Sequence, residues 1–329
     1  MAAVGPVVAR EDAFRKLFRF YRRREGADLT GVIDFSTPVV TSQLSDQVSD
    51  QDAYRAGLQP VKQWGAYGLK GYPGEVHLCR WSPSKINGAV STQVSKGSRK
   101  QEPKTLLEKL RWVTLGYHYN WDSKKYSADH HTPFPGDLAF LSGQVASACG
   151  FQSFQAEAGI LNYYHFDSSL GIHVDESELD HSQPLISFSF GQSSIFLLGG
   201  LKQDEAPTAM FIHSGDIMVM SGFSRLLYHA IPRVLPNPEG RALPSCLEQT
   251  FPTDLPDGSV VDPCSEEDWQ ACTKYLHTSR INMTIRQVLA VGQSFPAEST
   301  MDKGPDTTSS SSYHQNDSKI KQHKPHINS

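Results

Sequence analysis

Hydrophobic residues near the start of the chain recur with helical spacing. Four of them stand at positions i, i+3, i+4 and i+7, with basic residues between: Phe14, Leu17, Phe18 and Tyr21. This spacing predicts a basic amphipathic helix. Such helices occur in mitochondrial presequences, although Glu11 and Asp12 are unusual there because presequences are poor in acids. A helix that docks on the protein's own core fits the pattern equally well.

Beyond residue 105 the pattern predicts two helices and then a series of short strands. Residues 105–112 and 137–149 have helical spacing, Gly150 stands where a helix C-cap is expected, and the aromatic alternation from Trp112 to Trp121 is typical of a strand. Short β-type runs separated by turn residues follow at 159–166, 185–190, 194–198, 208–213 and 216–220. Their spacing predicts an antiparallel barrel or jelly roll. One more helix is expected at 266–277 and one more strand at 281–289.

Three segments have weak periodicity. Residues 75–104 are rich in Ser, Lys and Gly and are expected to form a polar linker. Seven prolines from Pro232 to Pro263 predict a long irregular loop over 232–264. Residues 293–329 hold few apolar groups and are expected to be a disordered C-terminal tail. The predicted organisation is an amino-terminal helix and extension at 1–74, the linker, a main domain at 105–292 and the tail.

Composition narrows the class of protein. The chain has 329 residues, of which 38% are hydrophobic, and no apolar run approaches the roughly 20 residues of a membrane-spanning helix. Five cysteines without a C-x-x-C pair fit neither a disulfide framework nor a four-cysteine zinc site. We therefore expect a soluble, intracellular protein that makes no membrane contact.

Charge is distributed unevenly along the chain. The net charge is −4, which is not typical of a nucleic-acid-binding protein as a whole. Two stretches are nevertheless basic: residues 13–24 hold six Lys and Arg, and residues 96–125 hold eight against three acids. Each stretch is either a solvated surface or a track for a phosphate backbone.

Three residues in the strand-rich part have the chemistry of a metal site. His173 and Asp175 are two positions apart, which on a strand turns both side chains to one face. His229 follows 54 residues later. Two imidazoles and one carboxylate are the ligand set of a non-haem Fe(II) site with open coordination positions. The alternative is a surface histidine beside a strand acid, because His-x-Asp is common by chance.

The last expected strand carries an alternating polar face. Arg280, Asn282, Thr284 and Arg286 share one face, while Ile281, Met283 and Ile285 share the other. Two arginines turned into a barrel require anions, because an unpaired buried charge costs several kcal/mol. A dicarboxylate ligand meets that requirement. The alternative is a surface strand of alternating polarity.

These residues resemble the AlkB family of Fe(II)- and 2-oxoglutarate-dependent dioxygenases. The family's His-x-Asp, distal His and Arg-x-Asn-x-Thr-x-Arg occur here in the same order, and Asn162-Tyr163-Tyr164 is similar to its Asn-x-Tyr element. Residues 105–234 and 265–290 carry most of the resemblance, and residues 12–74 resemble the amino-terminal region of mammalian members. The fold implied is α+β, with a double-stranded β-helix (jelly roll) core and flanking helices.

The resemblance also implies roles for these residues. His173, Asp175 and His229 would be the catalytic residues that hold Fe(II), and Arg280 would bind the distal carboxylate of 2-oxoglutarate, which is consumed with O2. The rest of the expected cosubstrate pocket is Asn162, Tyr163, Tyr164, Asn282, Thr284 and Arg286. The implied reaction is oxidative demethylation of N-methylated bases in nucleic acid, either DNA or RNA including tRNA, with release of succinate and formaldehyde.

Substrate contacts are implied by the same resemblance. The family's base-contacting aromatic pair corresponds to Tyr117 and Tyr119, with His118 between them and Trp112 as a further stacking residue. Core packing is the alternative role for these side chains. The basic stretch 96–125 adjoins them, which favours a phosphate track over a solvated surface. We expect a monomer that acts in the nucleus, the mitochondrion or both.

Two departures from the family pattern stand out. After Gly71-Tyr-Pro-Gly74 the family continues with apolar elements of the substrate lid, whereas this chain has the polar run 75–104. Ser177 stands where bacterial members carry an acid that reads the base, which favours a different substrate range.

Other functions remain open at this level. The same fold and cofactors serve a demethylase or hydroxylase of proteins such as histones. A catalytically impaired isoform would act as a binding protein. A zinc hydrolase that uses the same histidines is a weaker option, because its chemistry gives no role to Arg280 and Arg286.

Overall fold

Two antiparallel sheets form the framework of the protein, as the sequence predicts. The larger sheet contains β1 (Gly65–Gly68), β2 (Val76–Arg80), β3 (Trp112–Gly116), β4 (Ala158–Tyr164), β6 (Leu185–Gly191), β9 (Asp216–Met220) and β11 (Arg280–Arg286), in the order β1-β2-β9-β6-β11-β4-β3. The smaller contains β5 (Leu170–His173), β7 (Ser193–Leu198), β8 (Thr208–Ile212) and β10 (His229–Leu235), in the order β5-β10-β7-β8.

The structure is a computed structural model that describes residues 12–23, 25–35, 43–68, 76–80, 106–236, 258–260 and 265–296. The described residues up to Phe295 belong to one compact unit. The described residues form five α-helices: α1 (Ala13–Arg22), α2 (Asp50–Arg55), α3 (Leu106–Lys109), α4 (Gly136–Ala148) and α5 (Glu266–Leu276). The tail 297–329 and most of the proline-rich segment 237–264 lie outside the described residues.

Apolar residues from both sheets pack between them. Leu198, Met210 and Ile212 of the smaller sheet meet Met218 and Met220 of the larger. The outer face of the larger sheet is covered by α4, whose Val145, Ala146 and Ala148 are fully buried against residues of β6, β9 and β11. This arrangement confirms the jelly-roll core with flanking helices.

The amphipathic helix α1 docks on the outer face of the smaller sheet. Asp12 caps it by accepting a hydrogen bond from the Arg15 amide at 3.1 Å. Phe14 and Tyr21 are buried against residues of β7, β8 and β10. Gly199 makes room for this contact, because a Cβ there would lie 2.6 Å from the Phe14 ring. The docking alternative for this helix is thus confirmed.

Several strand assignments need correction. β5 and β10 were not expected, and β10 passes through Pro232, where the sequence predicted an irregular loop. The register of β10 with β7 shifts between Ala230 and Arg233. Pro232 therefore lies at an irregularity of the ladder, where its lack of an N–H donor leaves no strand partner unsatisfied. β2 also falls at the start of the expected linker 75–104, where it pairs with β1 and β9.

The strand expected from Trp112 to Trp121 is shorter than predicted. It ends at Gly116, which has a φ of 66°. A Cβ at this position would lie 2.0 Å from the carbonyl oxygen of Glu157, so only glycine fits the turn. The chain then leaves the sheet, and the aromatics that follow line its edge instead of continuing it.

Candidate metal centre and anion pocket

The expected metal ligands converge at one end of the smaller sheet. His173 ends β5 and His229 begins β10, and the two residues are direct partners in the antiparallel register. Their ring centroids are 4.2 Å apart. Asp175 follows β5 by two residues, and one ligand atom from each of the three side chains lies within 4.8 Å of the others. This is a compact donor set of two imidazoles and one carboxylate.

Backbone carbonyls fix the tautomer of both histidines. The Nδ1 atom of His173 is 2.8 Å from the carbonyl oxygen of Gly171, and that of His229 is 3.0 Å from the carbonyl oxygen of Leu227. A carbonyl only accepts hydrogen bonds, so each Nδ1 carries the proton and each Nε2 presents a lone pair. Outer hydrogen bonds of this kind are typical of metal-ligating histidines.

Electrostatics keep His229 and Asp175 in their metal-binding forms. Burial and then the neighbouring His173 lower the pKa of His229 to about 4, so its imidazole is neutral at ordinary pH. Burial on its own would raise the pKa of Asp175, but Arg286 and then the two histidines outweigh it and hold this pKa well below its usual range. Asp175 is therefore a carboxylate.

Arg280, at the start of β11 in the larger sheet, is a buried guanidinium with donors available to an anion. Only 2% of it is exposed, and its Nη2 donates to the Ser189 hydroxyl at 3.0 Å. Its Nε and Nη1 have no hydrogen-bond partner among the described residues. The hydroxyl of Tyr164, which is Arg280's partner in the register, likewise finds none there. Burial raises the pKa of Tyr164 to about 12, so this hydroxyl remains a donor.

The other polar residues of β11 share this face. Asn282 donates to the Ser187 hydroxyl at 2.7 Å and the Phe188 carbonyl at 2.9 Å, and the Thr284 hydroxyl donates to the Asn282 amide oxygen at 3.3 Å. Asn162 is the register partner of Asn282 and so lies on the same face.

Tyr163 departs from its expected place in the cosubstrate pocket. It alternates to the opposite face of β4, where its ring centroid is 6.1 Å from that of Tyr275 on α5. The structure thus brings Asn162 and Tyr164 to the pocket face and leaves Tyr163 outside it.

Two buried charged residues that sequence reasoning missed complete the centre. Glu178 accepts from Arg225 Nη2 at 2.6 Å, and its other oxygen lies 3.0 Å from Arg286 Nε. Arg286 Nη2 is 3.1 Å from Oδ2 of Asp175. Arg286 is therefore paired with the chain's own carboxylates. The sequence offers little signal for this arrangement, since Glu178 lies in an acidic run that is typical of a solvated loop.

Aromatic side chains line the sheet edge beside this centre. Trp112 is the register partner of Asn162, and its ring is 5.2 Å from that of Trp121. Tyr119 continues the group, 4.8 Å from Trp121 and 5.2 Å from Tyr126. Both tryptophans are about half exposed, at 48% and 47%. We call Trp112, Trp121, Tyr119 and Tyr126 the aromatic edge.

The remaining expected substrate residues have other partners. Tyr117 packs against His131 and Phe295, with ring centroids 4.5 and 5.0 Å away. His118 lies between the hydroxyls of Thr114 and Thr132, at 2.8 and 3.1 Å. Ser177 donates to the Tyr119 hydroxyl at 3.2 Å, so the position that departs from the bacterial pattern contacts the aromatic edge.

The donor sets fit a divalent transition-metal ion and a dicarboxylate. Two imidazoles and a carboxylate are ligands suited to Fe(II) and leave open coordination positions. The unpartnered Nε and Nη1 of Arg280 and the Tyr164 hydroxyl are buried donors that fit a carboxylate, which accepts charge-assisted hydrogen bonds.

Comparison with known proteins agrees with this geometry. Residues 78–286 match the family model for the 2OG-Fe(II) oxygenase superfamily. The chain is 56% identical to "Nucleic acid dioxygenase ALKBH1" of Homo sapiens, over 99% of this chain and 98% of that protein. It is 60% identical to the Mus musculus protein of the same name, over 88% of this chain and 87% of that one. "tRNA demethylase abh1" of Schizosaccharomyces pombe is 44% identical over 40% of this chain and 44% of its own length.

The human alignment extends over 381 positions, more than the 329 residues of this chain, so the human protein holds residues that this chain lacks. We expect this difference in segment 75–104, most of which lies outside the described residues. Among the helices that the structure describes, none has the length and apolar character needed to cross a membrane.

Proposed function

Because this chain belongs to the 2OG-Fe(II) oxygenase superfamily and, within it, to the AlkB family, we propose that it oxidatively demethylates N-methylated bases in nucleic acid. One observation carries the choice of substrate. Half-exposed Trp112 of the aromatic edge lies in the same sheet row as the polar pocket, through its pairing with Asn162 and the pairing of Asn162 with Asn282, and half-exposed Trp121 packs against the Trp112 ring. Stacking of a base on exposed aromatics is the usual way to hold an unpaired nucleotide.

Charge around the aromatic edge favours a nucleic acid over a peptide. Lys109 and Arg111 immediately precede Trp112, Lys124 and Lys125 follow Trp121, and all four are exposed. Cations flanking stacking aromatics suit a single-stranded phosphate backbone. The name of the Schizosaccharomyces pombe relative makes tRNA the first substrate to test.

Each residue of the centre has a proposed role. His173, Asp175 and His229 would hold Fe(II), and Arg280 with Tyr164 would bind the distal carboxylate of 2-oxoglutarate. Asn162, Asn282 and Thr284 complete the polar wall. When bound, Fe(II) with 2-oxoglutarate and O2 would supply the oxidation of the N-methyl group, with succinate, CO2 and formaldehyde as the products.

The chain's own residues supply binding and orientation. Arg280 fixes the cosubstrate at the end distant from the metal because its guanidinium is held between Ser189 and the Tyr164 ring, whose centroid is 5.1 Å away. The aromatic edge holds the base near the metal. All proposed ligands come from one chain, which supports our proposal that the protein acts as a monomer.

The test is a mass-spectrometric measurement of methylated nucleosides. Methylated tRNA and single-stranded DNA are incubated with the protein, Fe(II), ascorbate and 2-oxoglutarate, with Asp175→Ala as the inactive control. We expect loss of a methylated nucleoside in step with formaldehyde and succinate. A methylated histone peptide is tested in parallel. Demethylation of that peptide alone, or no turnover of any substrate by folded, metal-loaded protein, would contradict the proposal.

A further inference from the structure

Asp175, the carboxylate ligand of the metal centre, belongs to a closed ring of four charged residues with Arg225, Glu178 and Arg286. Two of its members, Glu178 and Arg225, are 4% and 1% exposed and belong to no ligand set described above. Arg225 contacts the backbone carbonyl of Asp175 through Nη1 and Glu178 through Nη2. Arg286 joins Glu178 to the Asp175 side chain. Asp175 is thus held twice, once by its backbone and once by its carboxylate.

Asp175 requires such support because it lies beyond the end of β5. His173 and His229 are fixed by sheet pairing, whereas Asp175 follows in a stretch without regular structure. The rotation of its carboxylate is therefore set by side chains. The contact of Arg286 with Oδ2 depends in turn on Glu178, which holds the other edge of that guanidinium.

We propose that Glu178 and Arg225 are positioning residues that fix the orientation of Asp175 for metal binding. The inference rests on the proposed function in that it assumes a metal at this centre. Glu178 acts through Arg286, and Arg225 acts on the backbone of Asp175. Neither residue touches the metal or the substrate.

Stability alone is a poor explanation for the ring. Replacing a buried ion pair with apolar side chains of similar volume is often neutral or stabilising, so a purely structural role does not require the three buried charges of Glu178, Arg225 and Arg286. The ring also extends outward, because the Tyr126 hydroxyl donates to Glu178 at 3.3 Å and Tyr126 is part of the aromatic edge. Glu178 therefore connects the expected substrate surface with the metal ligand.

The decisive variant is Glu178→Gln, and the readout is metal affinity. Mn(II) serves as the probe because it takes the same nitrogen and oxygen ligands and does not oxidise readily. Its Kd is measured by calorimetry in the presence of 2-oxoglutarate. Loss of an outer partner of a metal ligand weakens metal binding by about 10- to 100-fold, and we expect Glu178→Gln to fall in that range.

A matched control separates positioning from stability. Glu157 is also a structural carboxylate, and it accepts the backbone amides of Val288 and Leu289 at 2.7 and 2.8 Å. Glu157→Gln is expected to lower the melting temperature of the metal-free protein and to leave the Mn(II) Kd unchanged. Tyr126→Phe keeps all four charges and removes one hydrogen bond, so it provides a milder variant if Glu178→Gln folds poorly. We expect Tyr126→Phe to weaken Mn(II) binding in the same direction by a smaller factor.

The outcomes distinguish this inference from the proposed function. If the unmodified protein binds no Mn(II), the proposed metal centre is wrong. If it binds Mn(II) and both Glu178→Gln and Tyr126→Phe bind equally well, the positioning role is wrong and the centre stands. Weaker binding by Glu178→Gln with normal binding by Glu157→Gln supports the inference.

Discussion

His173 and His229 face each other directly across two antiparallel strands, with ring centroids 4.2 Å apart. Sheet register thus places two metal ligands that are 56 residues apart in the chain. A shift of one residue would turn one imidazole to the other face of the sheet and abolish the site. The sheet register therefore organises this pair.

Metal binding is expected to stabilise the protein measurably. A ligand that binds only the folded state at about 100 times its Kd adds about 2.7 kcal/mol to the free energy of unfolding. We expect Mn(II) at that concentration to produce this gain in urea titrations, and a chelator to reverse it. His173→Ala is the control, since it removes one ligand from a partly exposed position. An equal gain in that variant would show that the cation binds elsewhere.

Arg280→Lys is expected to impair cosubstrate binding selectively. Lysine keeps the charge but loses the planar pair of donors that matches a carboxylate. Hydrogen bonds to charged groups contribute about 1.5–3 kcal/mol, so the KM for 2-oxoglutarate should rise roughly ten- to hundred-fold. Succinate formation at varied 2-oxoglutarate measures this effect, and Mn(II) affinity without 2-oxoglutarate should not change. An unaltered KM would place the cosubstrate elsewhere.

Trp121→Ala is expected to weaken nucleic-acid binding without affecting the metal centre. Stacking of a base on an aromatic side chain contributes about 1–3 kcal/mol. We therefore expect a roughly five- to hundred-fold higher Kd for a short methylated single-stranded oligonucleotide, measured by fluorescence anisotropy. Tyr54→Ala is the matched control, because Tyr54 is 49% exposed and lies on α2, far along the chain from the aromatic edge. Equal losses in both variants would count against a specific stacking role.

Phe14→Ala is expected to destabilise the whole unit. Phe14 is fully buried between α1 and the smaller sheet. Truncating a buried phenylalanine to alanine typically costs about 3–5 kcal/mol. Arg15→Ala on the exposed side of the same helix should change stability by no more than about 0.5 kcal/mol. Chemical denaturation measures both variants, and a small loss for Phe14→Ala would mean that α1 detaches without cost to the core.

Much of the fold follows from local patterns. The 3.6-residue spacing at Phe14 and Tyr21 predicts α1 and its buried face, and the alternation of Arg280 to Arg286 predicts both the strand and the polar face of β11. By contrast, β10 was missed because Pro232 is a strand breaker by every local rule. Its ladder tolerates the proline only because the register shifts at that point, which depends on the neighbouring strands.

The candidate site was predictable in its ligands and less so in its surroundings. His173, Asp175, His229 and Arg280 were identified from spacing and family resemblance, and the structure brings the three metal ligands together. Tyr163 was placed in the pocket although strand alternation turns it away. Glu178 and Arg225 were missed because burial of a charged side chain is not visible in a linear sequence.

The sequence by itself determined which side chains share a face, because residue spacing along a helix or strand dictates direction. It also determined the family, because the donor types occur in the family's order. Only the tertiary structure decided which faces meet, that His229 pairs with His173, and that charged side chains such as Glu178 and Arg225 are desolvated. These outcomes depend on contacts between residues far apart in the chain, and the free energy of such contacts arises only when the two sheets pack together.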